Sequence, residues 1–381
     1  MNTIVLALDG FHSGFTGYGG ASWIDAYALD ELSTHGIVFD RFFSSCLNLS
    51  AIYDILWGTE ETFAERLLNQ GVKPALLADD ASILEHSGSR GFKVIESCLY
   101  KESRPIAESL EQTALFETFA VLADLIDHLS QSDQPFLCWA HIGSLARLWD
   151  APDEYRSRYC AQGDLPAWGS AAPPESISGL MNLEKTPDDL SASDLALQMA
   201  QTYAGQITVL NDCVSVLTDF LKQAGLTDKT SIALFSTRGI GLGEHDAIGL
   251  NSPAFNAEFA RLSGLVCSPV KNFGPRRTQA LVSYSEWSSL LELLAVNPES
   301  VSIPAGRSRL LGVQDDLRVV QTNAWRYLYD VKEPKNGQLY VMPDDRWEVN
   351  DTSKICENVI EELLQLTEDS ELSDLLTNIY H

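Results

Sequence analysis

The fold of this chain is decided by its first apolar stretch, Thr3-Ile4-Val5-Leu6-Ala7-Leu8, which ends at Asp9-Gly10. Six residues that are mostly aliphatic or β-branched predict a strand buried on both faces of a parallel sheet. Polar residues begin abruptly at its carboxyl end, which is where open α/β sheets bind ligands. Asp9 is therefore a candidate functional residue, although an Asp before a Gly is equally typical of a turn.

Strands and helices alternate along the rest of the chain. We expect further strands at 37–39, 74–78, 92–96, 136–141 and 230–236, and helices at 22–35, 105–130 and 195–224. This alternation predicts a three-layer α/β sandwich with a mixed central sheet. Residues 145–195 have little periodicity and five prolines, so we expect an irregular excursion over the pocket.

The pattern changes after about residue 305. Short, hairpin-like strands at 317–321, 325–329 and 339–342, followed by a helix at about 355–367, predict a small antiparallel sheet packed on the main body. We therefore divide the chain into an α/β domain, 1–310, and a C-terminal subdomain, 311–381.

The composition excludes several classes of function. The chain has 53 acidic and 26 basic residues, for a net charge of −27, so we expect no nucleic-acid partner. We also expect no membrane partner, because no run of 18 apolar residues occurs. The seven scattered cysteines lack a C-x-x-C motif and no signal peptide precedes the first strand, which together predict a cytoplasmic protein.

Four segments carry a resemblance to a known family. They are the first strand with its glycine loop and Leu29–Leu32; Pro135–His141 with Pro152–Tyr155; Tyr203–Ile207 with Leu242-Gly243-Glu244-His245; and Trp325–Tyr329 with Trp347–Asp351. In this order they resemble the sulfatase branch of the alkaline phosphatase superfamily over nearly the whole chain. The resemblance implies a sulfatase-like α/β sandwich. It also implies a divalent cation bound by acidic and amide side chains, a formylglycine nucleophile, Lys and Arg on the sulfate, and a His that protonates the leaving group.

The metal ligands of the family are mostly missing. Its paired aspartates after the first strand fall on Asp9 and Gly10, and its S-D-H-G motif falls on Ser236-Thr237-Arg238-Gly239. Arg stays protonated and cannot bind a cation. Asp9 is thus the only retained ligand position, and we expect neither a metal nor another cofactor.

The nucleophile and the acid are also missing. The C-x-P-x-R motif falls on Asn48-Leu49-Ser50-Ala51-Ile52, and a shift to Cys46 restores the thiol without the Pro or the Arg. The family's histidine falls on Ala146, and its lysine falls near Asp79. We therefore assign no catalytic residue.

Other polar residues leave alternatives open. His245, beside Glu244 and Asp246, is either part of a metal cluster or a capping group, and Ser50 has no His and Asp partners at a triad's spacing. The vestigial site consists of these residues: Asp9, Gly10, Asn48, Ser50, Thr237, Arg238 and His245.

The interpretation that follows is a sulfatase-like pseudoenzyme in which Arg238 replaces the cation and pairs with Asp9. Such a protein would bind or regulate an unknown small molecule or protein. The alternative is a divergent hydrolase of sulfuric or phosphoric esters, with a site rebuilt from Asp9, Asn48, Thr237, His245 and Asp246 or with Thr237 or Ser50 acting on phosphate esters.

Overall fold

A computed structural model describes residues 1–100, 104–180, 190–250, 255–271 and 273–367. The strands in these ranges are β1 (Asn2–Asp9), β2 (Gly36–Phe39), β3 (Phe42–Phe43), β4 (Lys73–Ala78), β5 (Val94–Ser97), β6 (Phe136–Ile142), β7 (Ile177–Ser178), β8 (Thr230–Arg238), β9 (Gly241–Leu242), β10 (Ala247–Gly249), β11 (Arg261–Leu262), β12 (Gly264–Cys267), β13 (Arg276–Thr278), β14 (Arg309–Gln314), β15 (Leu317–Thr322), β16 (Trp325–Asp330) and β17 (Gln338–Val341). The helices are α1 (Tyr27–Thr34), α2 (Leu49–Trp57), α3 (Phe63–Asn69), α4 (Ala81–Leu84), α5 (Ala114–Ser130), α6 (Ser144–Arg147), α7 (Asp153–Arg156), α8 (Ala192–Gln223), α9 (Ala257–Ala260), α10 (Tyr284–Val296) and α11 (Glu357–Gln365).

The central sheet has eight strands in the order β13-β2-β12-β8-β1-β6-β4-β5. Strands β1, β4, β5, β6 and β8 are parallel, whereas β12 runs antiparallel to both of its neighbours, β8 and β2. The first strand lies between β8 and β6. The predicted mixed sheet is confirmed. Because β1 runs parallel to both β6 and β8, the carboxyl ends of these three strands lie at the same edge of the sheet.

Helices cover both faces of this sheet because β1 is apolar on both faces. Ile4, Leu6 and Leu8 pack in one hydrophobic cluster with α1, α5 and α8, whereas Val5 and Ala7 pack in a second cluster with α2, α3 and α10. All five side chains are fully buried. Burial of an aliphatic side chain of this size contributes about 1.5–3 kcal/mol, so both layers depend on this strand.

Two helices begin later than the sequence pattern predicts. Helix α5 begins at Ala114, because Thr113 accepts a hydrogen bond from the Phe116 amide (3.2 Å) and Asp150 accepts one from the Ala114 amide (2.8 Å). Helix α1 begins at Tyr27, and Asn211 of α8 accepts the Ala28 amide (2.7 Å). A long-range cap from α8 is invisible to local periodicity, so the prediction of 22–35 was too long.

The segment between β6 and α8 is mostly irregular, and the hydrogen bonds of a buried arginine hold part of it in place. Fully buried Arg156 donates to the carbonyls of Trp149 (2.5 Å) and Ser170 (3.1 Å). Residues 181–189 of the predicted excursion lie outside the described residues.

The C-terminal strands β14 to β17 form an antiparallel four-stranded sheet. The predicted small antiparallel sheet is confirmed, and β14 adds a fourth strand to the three that the sequence predicts. Arg326 on β16 is 1% exposed, pairs with Glu348 at 2.5 Å and donates to the Phe255 carbonyl at 2.6 Å. This buried side chain joins the small sheet to the main body. In the part of the chain that the structure describes, no helix is both long and apolar enough to cross a membrane.

Candidate functional site

The site lies where β1 and β8 end side by side. The two strands pair in regular parallel register from Asn2 and Thr230 onward, and the register shifts between Leu8 and Asp9 so that Asp9 faces Arg238. Arg238 donates from Nε to Asp9 Oδ1 (2.8 Å) and from Nη2 to Asp9 Oδ2 (2.7 Å). The expected ion pair is therefore present, and it is bidentate, which is the strong geometry for a guanidinium and a carboxylate.

This pair is buried and electrostatically matched. The side chain of Asp9 is 4% exposed and that of Arg238 is 16% exposed. Burial alone would raise the pKa of Asp9, but the charge of Arg238 and the hydrogen bonds from Arg238 and Thr237 together hold the pKa below its ordinary value. Burial likewise opposes the charge of Arg238, and Asp9 raises the pKa of that guanidinium. Both groups are therefore charged, and each is the main partner of the other.

Further hydrogen bonds fix the pair in place. Thr237 donates its hydroxyl to Asp9 Oδ1 (3.0 Å), and Arg238 donates from Nη1 to the Leu47 carbonyl (3.2 Å). Tyr284 donates to the Thr237 carbonyl (2.5 Å) and lies 2.9 Å from Ser44 Oγ. The segment before α2 and the start of α10 thus both support the end of β8.

Gly10 joins this cluster through its backbone. Its amide donates to the Arg238 carbonyl (3.0 Å), and its carbonyl accepts the Tyr203 hydroxyl (2.7 Å). Its φ is +73°, and a Cβ at this position would lie 2.8 Å from the Cα of Ala146. Position 10 therefore has no room for a side chain, because Ala146 packs against its backbone.

Asn48 and Ser50 lie at the beginning of α2 and do not contact Asp9. Asn48 is the N-cap of that helix, and its Oδ1 accepts the Ala51 amide at 3.0 Å. Ser50 is exposed on the first turn. Cys46, two residues before the cap, is 1% exposed, and burial raises the pKa of its thiol to about 12.

His245 belongs to a different cluster from Asp9 and Arg238. Its φ is 45°, and its Nδ1 lies 2.8 Å from Glu258 Oε2 while its Nε2 lies 3.0 Å from the Glu348 carbonyl. Burial alone would lower the pKa of His245, but the hydrogen bonds and charges of Glu258 and Glu348 together raise it to about 9. Neighbouring Glu244 instead contacts His12 at 3.4 Å. His245 thus links the main body to the segment that carries Glu348.

Sequence reasoning missed the tyrosines of this region. Besides Tyr284, Tyr53 of α2 places its hydroxyl 2.7 Å from His141 Nδ1. His141 is fully buried, and burial lowers its pKa to about 4, so this imidazole is neutral. The tyrosines lie in ordinary amphipathic helices, and nothing in their local sequence marks them as partners of strand ends.

No three His, Cys, Asp or Glu side chains within the described residues are grouped so that they could hold a metal ion. Among the described residues, the side-chain network at the end of β1 consists of the Asp9 carboxylate, the Thr237 hydroxyl and the Arg238 guanidinium, which also donates to the Leu47 carbonyl. This arrangement is chemically suited to holding a fixed positive charge.

The comparisons with known proteins bear on the fold. No protein-family model matches the sequence, and no curated protein matches it significantly. Among solved structures, the phosphonate monoester hydrolase of Agrobacterium radiobacter is 15% identical, with a TM-score of 0.71 over 99% of this chain and 95% of that chain. The phosphonate monoester hydrolase of Silicibacter pomeroyi is 12% identical, with a TM-score of 0.73 over 100% and 96%. BT1596, a 2-O GAG sulfatase, is 13% identical, with a TM-score of 0.68 over 98% and 93%. The chain therefore has the fold shared by the sulfatases and phosphonate monoester hydrolases of the alkaline phosphatase superfamily.

Proposed function

We propose that this chain is a non-catalytic protein with a sulfatase fold, in which a covalent cation, the guanidinium of Arg238, replaces the bound metal ion. The observation that carries the proposal is the bidentate bond between Arg238 and Asp9, at 2.7 and 2.8 Å. Its role is then to bind or regulate another molecule rather than to hydrolyse an ester.

The donor set does not fit the divalent cation that the fold family implies. Ca²⁺ takes six to eight oxygen ligands, and Mg²⁺ demands near-octahedral oxygen coordination. Here Asp9 is the one carboxylate in contact with Arg238 among the described residues, and both of its oxygens accept hydrogen bonds from that guanidinium. A metal ion at this position would have to displace Arg238 and leave its buried charge unpaired.

The packing around Gly10 supports the same proposal. A second aspartate at position 10 would bring its Cβ within 3 Å of the backbone of Ala146. The two positions at which the resemblance implies a metal ligand and a histidine are thus a glycine and an alanine in close contact. Restoring either function would require the backbone to move.

The chemistry of the nucleophile points in the same direction. Cys46 is buried and its pKa is about 12, so its thiol stays protonated near neutral pH, and a thiol is a poor nucleophile compared with a thiolate. Asn48 is occupied as a helix cap. His245, which a rebuilt site would need, is bound to Glu258 instead.

We place the protein in a reducing compartment such as the cytoplasm. All seven cysteines are free thiols, which is the usual state in that compartment.

The test is an assay for ester hydrolysis. Purified protein is incubated with p-nitrophenyl sulfate, p-nitrophenyl phosphate, a phosphate diester and a phosphonate monoester, with and without added Ca²⁺ or Mg²⁺. We expect no turnover above that of the Asp9→Asn variant. Turnover that disappears in Asp9→Asn while the variant remains folded would overturn the proposal in favour of a divergent hydrolase.

A further inference from the structure

Three arginines and one tryptophan lie around the glycine-rich segment 10–20, which follows β1. We call these residues the Trp347 cluster: Arg261, Arg277, Arg346 and Trp347. The guanidinium carbons of Arg261 and Arg346 lie 4.9 and 5.2 Å from the centroid of the Trp347 ring. The members come from β11, from β13 and from the segment after β17, so only the folded chain brings them together.

Arg261 is buried, and one nitrogen of its guanidinium has no hydrogen-bond partner among the residues that the structure describes. The residue is 7% exposed, and its Nη1 is buried and donates to no acceptor among the described residues. Burial, together with the positive charges of Arg346 and Arg277, lowers the pKa of Arg261 to about 10. An unpaired guanidinium in such a place is costly, because a buried charge normally has a counter-charge.

Within the described parts of the chain, no carboxylate forms an ion pair with this guanidinium. Asp40 is the acidic group that acts on Arg261 electrostatically, and it is already bound by Arg277 and by the Gln279 side-chain amide (2.6 Å). Among the described residues, neither Arg261 nor Arg346 forms an ion pair. This is unexpected in a chain with 53 acidic and 26 basic residues, in which a carboxylate is the commoner charged neighbour.

The surroundings hold the cluster in a fixed shape. Trp347 stacks on His12 with ring centroids 6.0 Å apart, and Arg277 donates from Nη2 to the Tyr18 carbonyl (2.9 Å). Arg346 is exposed and Trp347 is half-buried, so the cluster meets solvent on the Arg346 side. Guanidinium groups stacked on an indole keep their edges free for hydrogen bonds.

We propose that the Trp347 cluster binds a tetrahedral oxyanion, the phosphate or sulfate group of a small molecule, on Arg261 with Arg346 supplying the second positive charge. The planar fork of an arginine matches two oxygens of such a group. The anion would supply the counter-charge that no described carboxylate provides to Arg261. Within the described residues, no side-chain hydrogen bond or ion pair joins this cluster to Asp9 or Arg238, so the proposal does not depend on whether that pair has replaced a metal ion.

The experiment measures anion binding to the full chain by isothermal titration calorimetry and by thermal unfolding. Inorganic phosphate and inorganic sulfate are titrated separately at constant ionic strength, with chloride as the compensating ion. We expect one of them to bind and to raise the melting temperature in proportion to the logarithm of its concentration above Kd. Whichever anion binds more tightly identifies the chemistry of the physiological ligand.

Variants distinguish the cluster from general charge effects. Arg261→Met and Arg346→Ala should each weaken anion binding at least about tenfold, the loss expected for one charge-assisted hydrogen bond. Arg90→Ala, which removes a surface arginine that pairs with Glu65, should bind as the wild type does. Because Arg346 is exposed, its variant tests the proposal even if Arg261→Met fails to fold.

Two results would overturn the proposal. One is that neither phosphate nor sulfate binds the wild type more tightly than chloride does at matched ionic strength. The other is that Arg346→Ala binds the anion with unchanged affinity. Either result can occur with or without ester hydrolysis, so this experiment tests the anion site independently of the proposed function.

Discussion

Replacing Arg238 by Met removes the guanidinium but keeps most of the apolar stem, and it tests whether Asp9 depends on a covalent cation. Asp9, whose side chain is 4% exposed in the wild type, would be left with Thr237 as its remaining side-chain donor at 3.0 Å. Breaking a buried ion pair from one side costs about 3–5 kcal/mol. Because the bond from Thr237 survives, we expect a loss of about 3 kcal/mol in the free energy of unfolding, at the lower end of this range.

The loss should depend on pH in a defined direction. In the wild type the pKa of Asp9 is lowered, so the pair contributes fully above the unfolded-state value, about 3.9, and its contribution is lost as the pH falls below it. Without Arg238, burial raises the pKa of Asp9, and the variant is destabilised as the pH rises through the new value. The difference between the two proteins should therefore be large at neutral pH and shrink toward about pH 4.

The assay is urea unfolding monitored by tryptophan fluorescence, at several pH values, for the wild type, Arg238→Met and the double variant Asp9→Ala with Arg238→Met. The double variant should be more stable than Arg238→Met, because it no longer buries an unpaired carboxylate. Arg66→Met is the control, since it breaks a half-exposed pair with Glu292, and such pairs contribute at most about 1 kcal/mol. A loss for Arg238→Met no larger than that for Arg66→Met, with no dependence on pH, would refute the reasoning.

Three further predictions concern other parts of the site. Gly10→Ala should lower the free energy of unfolding by about 1–3 kcal/mol more than Gly71→Ala, because both residues have positive φ but only Gly10 has backbone within 3 Å of the added Cβ; equal losses in urea unfolding would contradict this. When the protein is expressed with a formylglycine-generating enzyme, mass spectrometry should find the Cys46 peptide unmodified, because Cys46 lacks the Pro and Arg of the motif; conversion to the aldehyde would contradict this. The raised pKa of His245, about 9 beside Glu258, contributes stability that is complete below about pH 6.5 and is lost as the pH rises through 9; His245→Gln should flatten this loss in thermal unfolding curves from pH 6 to 10, and an unchanged slope would count against the pair.

The local sequence pattern was sufficient to predict those elements whose own residues show which faces are buried. The residues of β1 are apolar on both faces, and this alone predicts a covered, central strand. Helix α1 shows the limit, because its first residue is fixed by Asn211, which lies far along the chain. Boundaries that depend on a distant cap cannot be read from periodicity.

Of the candidate site, only the residues at the ends of strands could be predicted from the sequence. Asp9 and Arg238 follow two apolar strands, and the parallel register brings them into contact. Tyr284 and Tyr53 were missed because they join the site only through hydrogen bonds to residues of other elements, Thr237 and His141. Arg261 was missed for a similar reason, because only the folded structure shows which carboxylates lie near it.

Metal analysis of the purified protein tests the replacement of the cation most directly. The chain is expressed in medium that contains Ca²⁺ and Mg²⁺, desalted, and measured by inductively coupled plasma mass spectrometry, and its melting temperature is recorded with and without EDTA. With Arg238 bound to both oxygens of Asp9, we expect no stoichiometric Ca²⁺ or Mg²⁺ and an unchanged melting temperature, because a metal that is not bound stabilises nothing. One bound ion per chain, lost together with stability on addition of EDTA and absent from Asp9→Asn, would contradict the account.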